Sequence, residues 1–201
     1  MRFVFLDPGP LRDRELDLVA PQPRWIEPVM HACRHPLTVR DAPAEAETTR
    51  PKLLEFLKVA PMGRQPGDPG AGRLPAYHFW MRVDPPVGDP PVEIAGGMNL
   101  RIGTNPEIEL FSGNIGYHVY PPARGHRLAE RACRLILPLA RRHGMERLWI
   151  TCNPDNAASR RTCERLGAKL VEIVTIPKDH PFRARGETEK CRFLLELTQP
   201  G

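Results

Sequence analysis

Apolar and polar positions alternate most regularly in the second half of the chain. The segments Tyr77–Val83 and Val92–Ile102 have the length and composition of strands, and a proline-rich turn separates them. Two further strands each lead into a segment with helical periodicity. These four elements are Asn114–Tyr120, Arg127–Arg142, Arg147–Cys152 and Ala157–Leu166. Such a unit predicts an α/β domain whose ligand crevice lies beyond the strand ends.

Helical periodicity predominates in the first half of the chain. We predict helices over Arg24–Ala32 and Ala42–Val59, after a short first strand at Phe3–Leu6. Proline and glycine are too frequent over Pro61–Pro75 for regular packing, so this segment is predicted to be a flexible loop. Neither flank of the loop could build a core alone, which favours one domain.

The remaining segments complete the sheet. Gly103–Ser112 is polar and predicts a connection, whereas Lys169–Ile176 and Lys190–Leu197 predict the last two strands. Pro138 falls inside a predicted helix, where a proline removes one backbone hydrogen bond and is expected to kink the helix.

Composition limits the class of protein. The chain has 201 residues, of which 41% are hydrophobic, enough for one domain with a buried core. No apolar run approaches the roughly 18 residues that cross a membrane, and the apolar run before Asp7 is short for a signal peptide. We therefore expect a cytoplasmic protein without a membrane partner. Its five cysteines lack the spacings of zinc sites, so reduced, packed thiols and no metal are expected.

The positive charge raises the question of an anionic partner. The formal net charge is +5 at pH 7, and many arginines fall between Arg124 and Arg165. Such a face either is simply solvated or attracts a phosphate. The pattern lacks the interleaved aromatic residues, zinc-finger spacing and helix-turn-helix signature of nucleic-acid readers. A nucleic-acid partner is therefore not expected, and an RNA-associated protein remains only a third hypothesis.

One turn has the arrangement of a phosphate site. A strand that ends in a glycine-containing turn and opens a helix presents free backbone N–H groups at the positive end of the helix dipole. The run Pro121–Ala129, Pro-Pro-Ala-Arg-Gly-His-Arg-Leu-Ala, has this arrangement and predicts a site for an anionic ligand. The next helix instead has Asn156 as its cap and ends at Gly167.

These motifs resemble those of the GCN5-related N-acetyltransferases (GNAT), which move an acetyl group from acetyl-CoA to an amine. The run Gly116–Gly125, Gly-Tyr-His-Val-Tyr-Pro-Pro-Ala-Arg-Gly, is similar to the family's fourth strand and pyrophosphate loop. Asn156–Ser159 and Glu164–Ala168 are similar to the helix that follows its fifth strand. The resemblance covers roughly residues 77–197.

The resemblance implies a single α/β domain over residues 1–201, with a mixed, twisted sheet flanked by helices. Residues 77–197 would form the acetyl-CoA-binding core, and residues 1–76 would supply helices and a flexible loop on the acceptor side. Acetyl-CoA would be the co-substrate of a direct transfer to a primary amine on a small molecule or a peptide. A homodimer is left open.

The matched motifs also imply contacts with the cofactor. The backbone of Val119 would hydrogen-bond the pantetheine arm, and Asn156 and Ser159 would line the cofactor beyond the fifth strand. Helix capping is the alternative role of Asn156. The residues whose N–H groups would hold the pyrophosphate are Arg124, Gly125, His126, Arg127, Leu128 and Ala129.

Three positions depart from the family pattern. Pro122 and Arg127 replace the first and last residues of the usual loop motif. We expect Arg127 in the first helical turn, in the right-handed αR conformation, with its guanidinium able to contact a phosphate. Cys163 stands where many members carry a tyrosine that protonates the leaving thiolate, and we expect a packing residue there. An alternative function is a degenerate CoA-binding module that acts as a sensor or scaffold.

Candidates for the remaining chemistry lie on or near the strands beside the loop. His118 is a candidate base because histidine titrates near neutrality, Tyr117 is a candidate donor on the opposite strand face, and Glu109 lies just upstream. Each has a structural alternative as a core or solvated side chain, and ordered water can replace a base residue. Asn99 and Arg101 are candidate acceptor contacts, and Arg101 would favour an acceptor with a carboxylate or phosphate unless it is a surface arginine.

Overall fold

One mixed sheet of nine strands forms the centre of the computed structural model, which describes residues 3–197. The strands are β1 (Arg12–Asp13), β2 (Leu16–Val19), β3 (Arg64–Gln65), β4 (Ala76–Val87), β5 (Val92–Arg101), β6 (Ile115–Val119), β7 (Arg147–Cys152), β8 (Lys169–Thr175) and β9 (Glu189–Glu196). Their order across the sheet is β1-β2-β4-β5-β6-β7-β9-β8, and β3 pairs with the start of β4. The pair β6 and β7 is parallel and the other pairs are antiparallel.

Six α-helices accompany this sheet within residues 3–197. They are α1 (Ile26–Arg34), α2 (Pro36–Asp41), α3 (Pro43–Ala46), α4 (Arg50–Val59), α5 (Leu128–Arg142) and α6 (Ala157–Leu166). The expected α/β domain with a mixed sheet and flanking helices is therefore confirmed.

The N-terminal helices cover one face of the sheet. Side chains alternate between the two faces of a strand, and His78 of β4 and Tyr120, which follows β6, both lie on the face that these helices cover. The Cys33 thiol of α1 lies 3.4 Å from the Tyr120 hydroxyl, within hydrogen-bond distance. Phe56 of α4 packs edge-on against the His78 ring, with centroids 5.2 Å apart.

The C-terminal helices cover the opposite face. The Tyr117 hydroxyl of β6 lies 2.8 Å from the Ser159 hydroxyl of α6. Helix α5 buries an apolar stripe at helical spacing against the sheet, as an amphipathic helix does. The buried residues of this stripe are Leu128, Ala132, Cys133, Ile136, Leu139 and Ala140. On the flank of α5, Arg131 donates hydrogen bonds to Asp13 of β1 and thereby ties the helix to the N-terminal hairpin.

Strands β6 and β7 separate along their length. Their register contains one pair, Ile115 opposite Ile150, and the residues that follow in each strand are not paired with one another. Because the two strands are parallel, the gap opens toward their C-terminal ends, where β6 runs into the turn before α5. The gap is the crevice that the strand and helix order predicts.

Asn114 fixes the point at which this gap begins. Its side chain is 1% exposed, and its Nδ2 donates to the carbonyls of Arg101 (3.2 Å) and Gly103 (2.8 Å). Its Oδ1 accepts from the Trp149 N–H at 2.8 Å, while its own N–H donates to the Trp149 carbonyl at 2.6 Å. One buried amide thus joins the end of β5, the start of β6 and β7.

The strand predicted at Phe3–Leu6 is wrong, because these residues have no strand pairing in the structure. Phe5 packs edge-on against Tyr77 with centroids 5.0 Å apart, and the Leu6 carbonyl accepts from the Tyr77 hydroxyl at 3.0 Å. Side chains therefore anchor the segment without a backbone ladder. The N-terminal hairpin of β1 and β2 went unpredicted, since strands this short carry too few positions to show alternation.

The single helix predicted over Ala42–Val59 is also wrong. Two helices, α3 and α4, occupy this range, and Thr49 begins the second by accepting the Lys52 N–H on its hydroxyl. Pro43 and Pro51 lie in the first turns of these helices, the position that proline favours. The start of the second helix therefore carries a signal that is visible in the sequence. Helix α2 was missed.

Three other segments are more regular than predicted. The proline- and glycine-rich segment 61–75 holds two short 3₁₀ turns and β3, and the polar connection 103–112 ends in the π-helical turn Ile108–Ser112. Helix α5 continues through Pro138 over its whole length. Within the described residues, every helix is too short or too polar to cross a bilayer.

The Asn114 connection gives a direct test of how the gap is held open. Replacing Asn114 by Ala removes the side-chain partners of the Trp149 N–H and of the Arg101 and Gly103 carbonyls, which are partly shielded from water, so we expect the free energy of unfolding to fall by about 2–4 kcal/mol. Urea denaturation monitored by fluorescence measures the change. Thr104→Ala, which removes an exposed hydroxyl nearby, serves as the control and should stay within about 0.5 kcal/mol of the parent. A similarly small change in Asn114→Ala would contradict this account.

Candidate active site

Two cavities meet at Gly116 and Tyr117 of β6. The first, of about 470 Å³, lies on the face covered by the N-terminal helices, and we call it the helix-side cavity. The second, of about 330 Å³, lies in the opening between β6 and β7, and we call it the gap cavity. Both are in the size range of small-molecule sites. Two molecules bound in them could meet across these two residues.

The turn before α5 presents a row of free amides. Within the described part of the chain, the N–H groups from Gly125 to Glu130 donate to no backbone or side-chain acceptor. By contrast, α4 and α6 each have a side chain that accepts an N–H of the first turn. Gly125 adopts φ +93°, a backbone conformation that suits glycine. Such a helix end binds anions.

The backbone of β6 also faces the gap. Hydrogen bonds in an antiparallel ladder alternate along the strand, and the Tyr120 N–H donates to the Ala95 carbonyl of β5. The N–H and C=O groups of Tyr117 and Val119 therefore point away from β5, toward β7. Because β7 has already diverged there, these groups are available to a ligand, although the Arg124 Nε donates to the Val119 carbonyl at 3.3 Å.

Residues of α6 approach the gap from its far side. Asn156 Oδ1 accepts the Ser159 N–H at 3.0 Å, so Asn156 caps the helix as predicted, and both residues line the gap cavity. The Tyr117 hydroxyl reaches across to Ser159 and also contacts the Cys163 thiol. Burial raises the pKa of Tyr117, so its hydroxyl keeps its proton and serves as a donor.

Two glycines make room for polar side chains on the helix-side cavity floor. His118 lies opposite Gly97 in the β5–β6 ladder, and Asn99 lies opposite Gly116. A Cβ on Gly97 would come within 2.8 Å of the His118 ring, and one on Gly116 would lie 3.0 Å from the Asn99 amide. Each polar side chain therefore covers a glycine of the neighbouring strand.

Glu45 of α3 joins this cavity and was missed by sequence reasoning. Its Oε2 lies 3.9 Å from His118 Nε2, an atom that is itself buried although 41% of the side chain is exposed. Burial lowers the pKa of His118, and the Glu45 carboxylate opposes that effect. The ring is thus held neutral near pH 7, in the form that accepts a proton.

Comparison with known proteins decides the family. A family model described as an acetyltransferase (GNAT) domain matches residues 27–169. The chain belongs to the GNAT family. It is accordingly an N-acetyltransferase, and the resemblance predicted from the motifs is confirmed. A search of curated protein sequences finds no match.

Solved GNAT structures share the fold at low identity. The microcin self-immunity acetyltransferase MccE, solved with acetyl-CoA and AMP, is 16% identical with a TM-score of 0.64, over 92% of this chain and 94% of that one. The ribosomal-protein α-N-acetyltransferase RimL, solved with coenzyme A, is 14% identical with a TM-score of 0.64, over 94% and 98%. A GNAT-family acetyltransferase from Bacillus anthracis is 13% identical with a TM-score of 0.61, over 94% and 99%.

Arg127 does not adopt the conformation expected of it. It precedes the first turn of α5 with φ +54° and ψ +26°, in the left-handed region. The expectation of an αR residue free of backbone difficulty is therefore wrong, because the chain reverses here before the helix begins. A non-glycine residue in this region costs about 1–2 kcal/mol.

Two other candidates lie away from the helix-side cavity. Arg101 borders the gap cavity, and its Nη1 donates to the carbonyls of Ser112 and Gly113 at 3.2 and 3.0 Å. Glu109 lies in the π-helical turn, accepts from the Thr104 hydroxyl at 2.7 Å and borders a third cavity. The structure therefore brings together Asn99, Tyr117 and His118 but not these two residues.

The five cysteines are buried free thiols. Cys152, at the end of β7, lines the gap cavity, and its hydrogen bond with Cys163 lowers its pKa to about 7. Cys163 is fully buried in α6. No group of three or more potential metal-ligating side chains occurs among residues 3–197.

The balance of burial and charge at His118 can be measured directly. We expect its imidazole to titrate below the usual 6.5 in an NMR pH titration, because burial disfavours the charged ring. Glu45→Gln should lower the midpoint further, since it removes the one carboxylate that favours the cation. The adjacent Tyr120 stays neutral, as burial raises its pKa. Glu47→Gln, at an exposed glutamate, is the control. A midpoint at or above 6.5 would contradict the effect of burial on His118, and a midpoint that does not respond to Glu45→Gln would contradict the effect of Glu45.

Proposed function

We propose that this protein transfers the acetyl group of acetyl-CoA directly to a primary amine, with acetyl-CoA in the gap between β6 and β7 and the amine in the helix-side cavity. The observation that carries the proposal is the row of six free amides, Gly125 to Glu130, at the end of the gap. Acetyl-CoA is the co-substrate of the family. In this chain, residues 77–197 would form the acetyl-CoA-binding core, and the helices before residue 77 would form the acceptor side.

The pyrophosphate would bind at the N-terminus of α5. Amides of Gly125, His126, Leu128 and Ala129 lie in this row, where the helix dipole favours negative charge. The Arg124 N–H, also expected to hold the pyrophosphate, instead donates to the Pro121 carbonyl at 3.2 Å. The exposed Arg127 would add a cation at the same point. Farther along the gap, the pantetheine amides would pair with the free backbone groups of Tyr117 and Val119. Asn156 and Ser159 would line the opposite side.

The transfer would take place where the two cavities meet. The bound ammonium would first lose one proton to ordered water. The neutral amine nitrogen would then attack the thioester carbonyl carbon while His118 accepts its second proton, and the carbon–sulfur bond would then break. Charge balances because the protonated His118 and the thiolate form together, and both exchange protons with solvent afterwards. The Tyr117 hydroxyl would donate a hydrogen bond to the leaving sulfur. It lies beside Cys163, the helix position from which many GNAT members supply a tyrosine.

Calorimetric titration with acetyl-CoA tests the placement of the cofactor. Gly125→Pro removes one N–H and cannot adopt φ +93°, so affinity should fall by at least about tenfold. Gly9→Pro, at another positive-φ glycine outside the site, is the control and should bind normally. In the same assay Arg127→Gly should bind more weakly or equally, because relief of its backbone conformation is offset by the lost cation.

Unchanged affinity in folded Gly125→Pro would refute the pyrophosphate site, and tighter binding by Arg127→Gly would refute the role of that cation. Binding of acetyl-CoA without turnover on any amine would favour the alternative, a degenerate CoA-binding sensor or scaffold.

The role of Tyr117 is tested by its phenylalanine variant. Tyr117→Phe keeps the ring and removes the donor, so kcat should fall by about tenfold to a hundredfold while the affinity for acetyl-CoA stays the same. Tyr77→Phe, which removes a tyrosine hydroxyl that donates to the Leu6 carbonyl outside both cavities, is the control and should retain most of the rate. Steady-state kinetics that show equal kcat for Tyr117→Phe and the parent would exclude Tyr117 as the donor.

A further inference from the structure

The helix-side cavity carries negative charge alone. Among its lining residues Glu45 is the one carboxylate, and no lysine or arginine of the described chain lines it. The two histidines that border it are neutral near pH 7, because burial and the nearby Arg101 charge lower the pKa of His78 to about 4, and burial lowers that of His118. A bound molecule would therefore meet a field that favours a cation and opposes an anion.

Two buried polar atoms without hydrogen-bond partners lie on the floor of this cavity. Asn99 Oδ1 and His118 Nε2 are both buried, and neither has a partner among the described residues. They are diagonal neighbours across the β5–β6 ladder, and Glu45 stands over His118. Asn99 Oδ1 is an acceptor, and His118 Nε2 is one in the tautomer that carries its proton on Nδ1, so an amine supplies the donors that both atoms then need.

Part of the remaining lining is apolar, and Thr48, His78 and Tyr120 add neutral polar groups to it. Leu53 and Phe56 of α4, Val29 of α1 and Trp80 of β4 contribute to its lining. A hydrocarbon or aromatic body of moderate size fits this surface, whereas a second charged group would lose its water without gaining a partner.

We propose that the acceptor is a primary amine attached to an uncharged, apolar body, and that Glu45 positions this amine while it rejects amines that carry a carboxylate or phosphate beside the nitrogen. The inference rests on the proposed function and deepens it. It replaces the expectation that Arg101 selects an anionic acceptor, since Arg101 lies outside this cavity and binds backbone carbonyls.

Three amines with one aromatic body form the test. Phenethylamine carries no second group, phenylalanine amide carries a neutral amide like the start of a peptide, and phenylalanine carries a carboxylate. With the purified full chain and acetyl-CoA, we expect kcat/KM for phenethylamine and for the amide to exceed that for phenylalanine by about tenfold or more. The ratio of the first two distinguishes a small amine from a peptide N-terminus as the natural source.

The contribution of Glu45 is isolated by a matched pair of variants. Glu45→Gln should raise KM for phenethylamine and reduce its preference over phenylalanine to about threefold or less, with unchanged affinity for acetyl-CoA. The exposed Glu47→Gln, close by in the chain, should behave like the parent. A structural role of Glu45 alone would lower activity on all three amines equally and leave the preference intact, which would overturn the assignment of this residue.

The outcomes separate this inference from the proposed function. If acetyl-CoA fails to bind in calorimetry, the proposed function itself fails. If acetyl-CoA binds but phenylalanine is acetylated as well as phenethylamine, the charge-based selection is wrong. If acetyl-CoA binds and neither phenethylamine nor the amide binds or reacts at millimolar concentration, the inferred acceptor class is wrong.

Discussion

The side chain of Asn114 is the interaction on which the arrangement of the site depends. It satisfies backbone groups of three neighbouring segments at once, and it does so at the last point where β6 and β7 pair. Beyond that point the backbone groups of Tyr117 and Val119 have no strand opposite them. In a parallel sheet, the neighbouring strand normally pairs with all of these backbone groups. A ligand-sized opening between two strands therefore requires a rigid connection at the point where they begin to separate.

The sequence was sufficient for the parts of the fold whose periodicity is long. Helix α6 occurs at Ala157–Leu166 as predicted, and β7 at Arg147–Cys152, because a buried strand and a capped amphipathic helix each carry a full local signature. The conformation of Arg127 could not be predicted, since an arginine carries no sign of the left-handed region. The place of Glu45 in the cavity could not be predicted either, because its contact with His118 forms only when distant segments pack together.

The floor of the helix-side cavity shows how a β-sheet can hold polar groups without a loop. Gly97 and Gly116 lower the surface of two adjacent strands, and His118 and Asn99 lie in the depressions. Strands fix side-chain direction more rigidly than loops do, so the two polar groups are pre-organised before any ligand arrives. The cost is that glycine weakens the strands it interrupts, and the surrounding core must compensate.

An anion bound at the uncapped start of α5 would link the stability of the chain to the concentration of that ligand. A bound anion would give the free N–H groups of this helix end acceptors that the described residues do not supply. Any such ligand stabilises the folded chain by mass action, by about 2.7 kcal/mol at a concentration one hundredfold above its dissociation constant. The lifetime of this protein against proteolysis would then rise and fall with the cellular supply of the activated acyl donor, independently of any reaction it catalyses.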